Sequence, residues 1–280
     1  MNIIALDIGG SKIEGILWQR GKIVSWRKIK TPRNKKKFLE TTLGIIRELQ
    51  SGDKIQGIGI SLAGAIDAGS GLVVQSPNLR FLNGFNLQRA IEKYTRVKTR
   101  VLNDAKCFLL GEVHFGQAKG KKNVIGMIIG TGVGGAIYLN GKLITGQHGF
   151  AGEQGMTTFV INQKSYRVED LISSHGFARL GVKHPFDYQN RAFAGDKKAI
   201  AIYNQIGKFL GVHLANLVEI FDPEMIIIGG GISRARHLLL SPALKEMAKH
   251  VVFPKKYWPV IKTSRLKNAG LLGAVSLFLK

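Results

Sequence analysis

Apolar residues in this chain fall into short β-branched blocks broken by glycine, with longer stretches at helical spacing between them. Ile3–Leu6 leads into Asp7-Ile8-Gly9-Gly10-Ser11-Lys12 and then Ile13–Trp18. Val124–Ile129 leads into Gly130-Thr131-Gly132-Val133-Gly134-Gly135 and then Ala136–Leu139. Each reads as strand, glycine turn, strand, and the second repeats the first. Asn140-Gly141 before Lys142-Leu143-Ile144 predicts a further hairpin. Between the two repeats the pattern predicts a helix over Lys35–Gln50 and a strand over Lys54–Ile60. It then predicts a short helix over Leu87–Tyr94, a strand over Lys98–Leu102, and a helix beginning after Asn103-Asp104. Helical periodicity returns over Val168–Leu180 and is longest over Lys197–Glu219, where it is dense enough for a buried helix. Met225–Ile228 reads as a buried strand ending in Gly229-Gly230-Gly231. A basic stretch without clear period follows, and Leu271–Leu279 closes the chain as a helix. Strands alternating with helices indicate an α/β protein whose sheets are covered by helices.

Composition narrows the class. The chain has 280 residues, 45% of them hydrophobic, enough for one large or two ordinary domains. One cysteine, Cys107, excludes an internal disulfide and a cysteine-rich zinc site. No apolar run reaches the length of a membrane span. The N-terminus opens directly on a strand, so no secretion signal is expected and the protein is expected to be cytoplasmic. The net charge is +23. Nine basic residues and no acidic one lie between Arg20 and Lys37, and Lys119, Lys121 and Lys122 form a second cluster. Such a field attracts polyanions, although charge runs are more often solvated surface. Trp26 alone interleaves the run, which does not suggest single-strand stacking.

Glycine turns bring bare backbone N–H groups close to a ligand, and a facing pair would clamp phosphates between two lobes. Gly130, Gly132 and Gly135 also fit the dinucleotide-binding spacing. That motif must run from a strand into a helix, whereas here a strand follows. Asp104 stands at the end of a strand where a helix starts, the position at which α/β sheets form ligand crevices; Asp and Asn also cap helices routinely. Asp7 follows an apolar strand and precedes the glycines, well placed to hold Mg²⁺ through water beside phosphates, or else to brace the turn. Gly229–Gly231 after a buried strand indicates close backbone approach to a ligand or a plain flexible turn.

Together these residues resemble the ROK family (repressor, open reading frame, kinase), over nearly the whole chain. Leu6–Lys12 is similar to the family's first phosphate loop, and Gly130–Gly135 to the second. Gly57–Asp67 is similar to its "GIG…PG.vD" segment, with Ala63 where proline is usual. Pro77-Asn78-Leu79, Leu102-Asn103-Asp104-Ala105, Gly149–Met156 (family "GfAGExGH"), Gly229–Gly231 and Asn268–Ala274 complete the series. The resemblance implies a two-lobed, actin-like ATPase (ribonuclease-H-like) α/β fold with an interlobe cleft. The lobes would be 1–118, completed by the C-terminal helix 268–280, and 119–267. It also implies an ATP-dependent kinase acting on a hexose or N-acetylhexosamine, with Asp104 as general base on the attacking hydroxyl. Asn103, Glu153 and Glu169 would hydrogen-bond the sugar, with Asn78 and Gly64 as further contributors. Asp7, Gly9, Gly10, Ser11, Lys12, Gly130, Thr131 and Gly132 would surround the Mg-nucleotide phosphates, and Gly229, Gly230 and Gly231 would face the nucleoside. A homodimer is implied as well.

The departures carry information. Most ROK kinases hold a structural zinc with the His of "GExGH" and three following cysteines. Here that position is Met156 and Thr157–Val168 has no cysteine, so no zinc is expected. Packing by Phe159, Val160 and Ile161 would have to replace it. His148 is nearby, but a lone His in a glycine-rich loop is more often a surface group. The tail Gly229–Arg234 with Leu266–Gly270 is similar to ROK-like kinases that use inorganic polyphosphate, and the +23 charge suits such a donor. The family's repressors carry a winged helix-turn-helix ahead of the sugar domain. This chain opens on the first strand, so that segment is not expected; nucleic-acid binding is then left only to the basic face, where it would be steeply salt-dependent, and is not the expected role. A sugar sensor without catalysis is the third reading, and retention of Asp7, Asp104 and both glycine loops argues against it.

Overall fold

The computed structural model describes residues 1–50, 52, 54–231 and 235–279. The chain divides into two compact units. The first comprises Met1–Gly120, Leu143–Ala151 and Leu266–Lys280; the second comprises Lys121–Lys142 and Gly152–Arg265.

Unit 1 is built on a five-stranded sheet. Strands β1 (Asn2–Ile8), β2 (Lys12–Gln19) and β3 (Lys22–Lys30) run as an antiparallel meander, followed by helix α1 (Lys35–Gln50). Strand β4 (Gly57–Leu62) pairs parallel with β1, and β8 (Thr99–Asn103) pairs parallel with β4, giving the order β3-β2-β1-β4-β8. A small sheet of β5 (Ala65–Asp67), β6 (Leu72–Gln75) and β7 (Phe85–Asn86) lies between β4 and helix α2 (Leu87–Thr95) in the chain. Helix α3 (Asp104–Phe115) follows β8. The core is a block of fully buried aliphatics from β1, β4 and α1, including Ile4, Leu6, Ile58, Ile60, Ile45 and Leu49. Burial of such side chains stabilises by about 2 kcal/mol each. The last helix of the chain, Ala269–Ser276, packs on α3 through glycine: a Cβ at Gly273 would overlap the Cys107 carbonyl oxygen.

Unit 2 repeats the plan. Strands β9 (Val124–Ile129), β10 (Val133–Leu139) and β11 (Lys142–Ile144) join β14 (Met225–Gly229) and β15 (Val260–Thr263) in the order β11-β10-β9-β14-β15, although β11 falls largely in the chain segment assigned to unit 1. A hairpin of β12 (Thr158–Ile161) and β13 (Lys164–Arg167) precedes helices α4 (Glu169–Ile172), α5 (Ser174–Arg179), α6 (Pro185–Phe193) and α7 (Lys197–Phe221). Helix α8 (Arg236–Met247) packs along α7, and the closing helix of unit 1 is α9 (Ala269–Ser276). The core joins Ile125, Met127 and Ile226 to Ile206, Leu210 and Leu214 of α7.

Three sequence expectations change. Val168–Leu180 is two short helices rather than one. Ser173 is extended (φ −98°, ψ −169°) and its hydroxyl accepts from the His175 amide, capping α5 and ending α4. The basic stretch after Gly231 contains α8 and β15. Pro242 and scattered charge mask the α8 period, yet Leu239, Ala243 and Met247 recur one turn apart and are buried. Finally, Phe159 and Ile161 pack on the core while Val160 is 72% exposed, as strand alternation requires. Among the described residues no helix is long and apolar enough to cross a membrane.

Candidate active site

In unit 1 the chemistry collects at one edge of the sheet. Strands β1, β4 and β8 are parallel neighbours whose last residues are in register: Ile8 opposite Leu62, and Leu62 opposite Asn103. Whatever follows these strand ends therefore shares one rim, where ligands of open α/β sheets bind. The first glycine turn, the Gly64 turn and the Asn103-Asp104 helix start all follow them.

Asp7 sits one residue before the first turn, opposite Ser61 in the β1–β4 register. The Ser61 hydroxyl donates to Asp7 Oδ1 at 2.8 Å. Burial raises the carboxyl pKa above its ordinary value, opposed by the Ser61 hydrogen bond; Glu14 adds to the rise and Lys12 counters it. A half-buried carboxylate that is short of positive charge is a fitting oxygen ligand for a hard divalent cation. Gly270, in the first turn of α9, lies against the same pair: its Cβ would be 3.4 Å from Ser61 Oγ and 3.5 Å from Asp7.

The turn itself is closed by the Gly9 amide donating to the Lys12 carbonyl at 3.0 Å. The Thr31 hydroxyl donates to the Gly9 carbonyl at 2.7 Å. In a trans peptide the C=O and the next N–H point in opposite directions, so this bond turns the Gly10 N–H outward. Gly10 leaves no room for a side chain, since a Cβ there would lie 2.8 Å from the Asn78 Cβ. Asn78 is thereby placed against the first glycine turn. Ser11 and Lys12 are exposed, and Lys12 Nζ pairs with Glu14 at 2.8 Å, a surface contact worth about 0–1 kcal/mol that a phosphate would readily replace.

Asn103 caps α3, its Oδ1 accepting from the Ala105 and Lys106 amides. Its Nδ2 donates to the Gly64 carbonyl at 2.9 Å and to Asp104 Oδ1 at 3.1 Å. Asp104 is the first helical residue, half-buried, and Oδ1 also receives the Ala105 amide at 2.9 Å. Gly64 has φ +141°, a conformation that favours glycine, and a Cβ there would be 2.6 Å from the Gln75 carbonyl. The buried Ser76 hydroxyl holds the Ala63 carbonyl at 2.6 Å. One chain of hydrogen bonds thus fixes the Asp104 carboxylate to the Gly64 turn.

Unit 2 uses the same device. Its turn is closed by the Gly130 amide donating to the Gly132 carbonyl at 3.0 Å. The Gly130 carbonyl accepts from the Ser174 amide at 3.0 Å and from its hydroxyl at 3.1 Å, so the Thr131 N–H is turned outward in the same way. Glu169, at the start of α4, brings its carboxylate to this turn: the Val133 amide donates to Oε2 at 3.4 Å, and a Cβ on Gly132 would lie 2.5 Å from that oxygen. Gly229 ends β14 beside β9, and Gly230, at φ +92°, packs on the Ile129 carbonyl with no space for a Cβ. Gly231 is open and exposed, while Ile232, Ser233 and Arg234 lie outside the described residues. Glu153 is half-buried at the start of a single 3-10 turn, Gln154–Met156, and its carbonyl accepts the Met156 amide.

Met156 is 40% exposed, and the segment after it is the β12–β13 hairpin, turned at Asn162-Gln163 with both residues at positive φ. Among the described residues, Glu169, Asp170 and His175 bring ligand atoms within 4.8 Å of one another. Two of these three already receive backbone amides, from Val133 and Arg167. His148 is exposed. Sequence reasoning missed Ser61, Thr31, Ser76 and Ser174. Only Ser61 had a signal, its place in Gly57–Asp67; the others become visible through strand register and helix packing.

The ROK family model matches residues 3–280. The chain is 29% identical to a glucokinase of Thermotoga maritima, covering 99% of this chain and 97% of that protein. It is 29% identical to an N-acetyl-D-glucosamine kinase of Photobacterium profundum, covering 98% of each. Among solved structures, a ROK family glucokinase from Streptomyces griseus in complex with glucose and AMPPNP superposes with a TM-score of 0.82 at 26% identity, covering 99% of both chains.

Proposed function

The chain belongs to the ROK family, and we propose that it is an ATP-dependent kinase for a hexose or N-acetylhexosamine hydroxyl. It is a phosphotransferase with an alcohol acceptor, on the actin-like ATPase fold of its relatives. The observation that supports this reading most is the shared rim of β1, β4 and β8. It gathers a glycine turn with an outward N–H, a desolvated Asp7 and the tethered Asn103–Asp104 pair.

Phosphoryl transfer asks for positioning, charge neutralisation and a base at the nucleophile. The sugar hydroxyl oxygen bonds to the terminal phosphorus as the bond from that phosphorus to its bridging oxygen breaks. The hydroxyl proton passes to Asp104, and ADP leaves with the electron pair. Asn103 sets the orientation of Asp104 through Oδ1. Asn103, Asn78, Gly64, Glu153 and Glu169 bind sugar hydroxyls, and vicinal hydroxyls suit carboxylate and amide groups. The Gly10 and Thr131 amides, with Gly9, Ser11, Lys12, Gly130 and Gly132, bind phosphate oxygens. Gly229, Gly230 and Gly231 face the nucleoside. Asp7 would hold Mg²⁺ through water, and that ion would supply charge neutralisation on the phosphates. The β12–β13 hairpin and its packed Phe159, Ile161 and Tyr166 take the place of a zinc-bound loop. The protein works as a homodimer, which its mass in solution tests.

Sugar-dependent ADP formation from Mg-ATP, measured across hexoses and N-acetylhexosamines, tests the reading. One sugar class is expected to turn over, and Asp104→Asn to fold normally and lose about 10²-fold or more in kcat. Wild-type turnover in that variant would overturn the base assignment. Turnover only with inorganic polyphosphate would replace ATP as donor.

A further inference from the structure

A groove of about 480 Å³ opens in unit 2, lined in part by the β12–β13 hairpin, α4, α5 and α7. That volume lies within the range of about 300–1,000 Å³ in which proteins hold small molecules. Its floor is apolar: Leu171 and Ile206 are buried, and Leu180 and Phe209 join them. One wall is flat, because the Arg179 guanidinium lies over the Tyr166 ring with 3.9 Å between its carbon and the ring centroid.

The charges of the groove are unequal. Lys164 and Arg179 are its cations, and neither forms an ion pair among the described residues. Asp170 is its acid, and Oδ2 already accepts the Arg167 amide at 3.0 Å. An apolar floor gives a bare phosphate or a free sugar little to bury, whereas a planar ring would displace water from the half-buried Leu180 and Phe209. A guanidinium seated over tyrosine keeps N–H groups free to donate, suited to a carboxylate or similar head group.

We propose that this groove binds a small organic anion: a planar aromatic body against the Arg179–Tyr166 wall, with its anionic head on Lys164 and Arg179. Titration calorimetry of the full chain with 2-naphthoate, at physiological ionic strength and without sugar or nucleotide, tests this independently of kinase activity. One equivalent is expected to bind. The neutral 2-naphthamide is expected to bind at least about tenfold weaker, a difference set by the charged head. Arg179→Met and Gln205→Trp change exposed positions of the groove. Each is expected to weaken naphthoate about tenfold or more with an unchanged thermal midpoint, the first by removing charge and the second by filling space. The proposal is overturned if acid and amide bind alike, or if both variants bind naphthoate as the wild type does. It is equally overturned if naphthoate does not bind; should Gln205→Trp then also halve the mass in solution, the groove is a seat for a second copy.

Discussion

The two glycine turns look alike in sequence and are held alike in structure, yet they draw their charge from different places. In both, a hydroxyl from elsewhere in the chain, Thr31 or Ser174, fixes the carbonyl of the first glycine and aims the next amide outward. The first turn has four residues between the paired Ile8 and Ile13; the second has three between Ile129 and Val133. The carboxylate of the first, Asp7, belongs to its own strand. The carboxylate of the second, Glu169, arrives from a helix far along the chain. A strand residue is locked by register, whereas a helix residue depends on how that helix packs. The first turn is thus the more rigid charge carrier, and the second the more adjustable one.

That contrast is tested most severely at Asp7. Its folded-state pKa is raised by burial, so the stability linked to this group is present below the ordinary carboxyl pKa and lost as pH rises through the folded value. The ionised carboxylate therefore costs stability at neutral pH in the protein without nucleotide. Asp7→Asn is expected to raise the melting temperature while lowering kcat by about 10²–10³-fold, the scale for removing one preorganised electrostatic group from an active site. A lower melting temperature with near-normal turnover would make Asp7 a brace for Ser61 instead.

Acid is expected to destabilise the second unit. His213 on α7 is buried in unit 2, and its Nε2 has no hydrogen-bond partner. Burial lowers its pKa from 6.5 to about 4. The unfolded chain then binds the extra proton first, so the stability linked to this group is intact above pH 6.5 and lost as pH falls toward 4. At 1.36 kcal/mol per pH unit the loss approaches about 3 kcal/mol. His213→Leu should abolish that component of acid denaturation and leave stability at pH 7 nearly unchanged; parallel pH profiles for the two proteins would refute it.

Much of this architecture was legible in the residues. Glycine between β-branched runs marks a turn that a neighbour approaches closely, Asn78 at Gly10 and Glu169 at Gly132, and helix α1 begins and ends where its apolar period does. The candidate site was legible as far as it lies at strand ends: Asp7 and Asn103 close apolar strands and Asp104 follows one, and parallel pairing does the rest. What stayed hidden depends on packing. The break at Ser173 comes from a capping hydroxyl inside an unbroken helical period. The β12–β13 turn uses Asn162-Gln163 at positive φ without glycine, so nothing local announces it. The bonds from Thr31 and Ser174 to the glycine carbonyls span 22 and 44 residues, beyond any local pattern.

Glu169 sharpens the comparison at smaller scale. If it binds a sugar hydroxyl while leaning on the second turn, Glu169→Gln keeps an acceptor for the Val133 amide and loses only charge. The sugar KM is then expected to rise about tenfold, the value of one charge-assisted hydrogen bond, with the ATP KM within about twofold. An effect on the ATP KM alone would assign Glu169 to the turn and not to the sugar.

The smallest expected effect separates the two hydroxyl braces. Thr31→Val removes the side-chain donor on the Gly9 carbonyl at nearly constant volume, while the Thr31 amide stays on Ser11. Ser174→Ala removes one of two donors on the Gly130 carbonyl, because the Ser174 amide still reaches it at 3.0 Å. A hydrogen bond contributes about 0.5–1.5 kcal/mol net. Thr31→Val is therefore expected to raise the ATP KM about three- to tenfold, and Ser174→Ala by less than about threefold. Steady-state kinetics with saturating sugar measures both. The reverse order would mean that the second turn carries more of the phosphate binding than the first, and that its adjustable carboxylate is no handicap. Equal and negligible effects would mean that glycine geometry alone holds the outward amides.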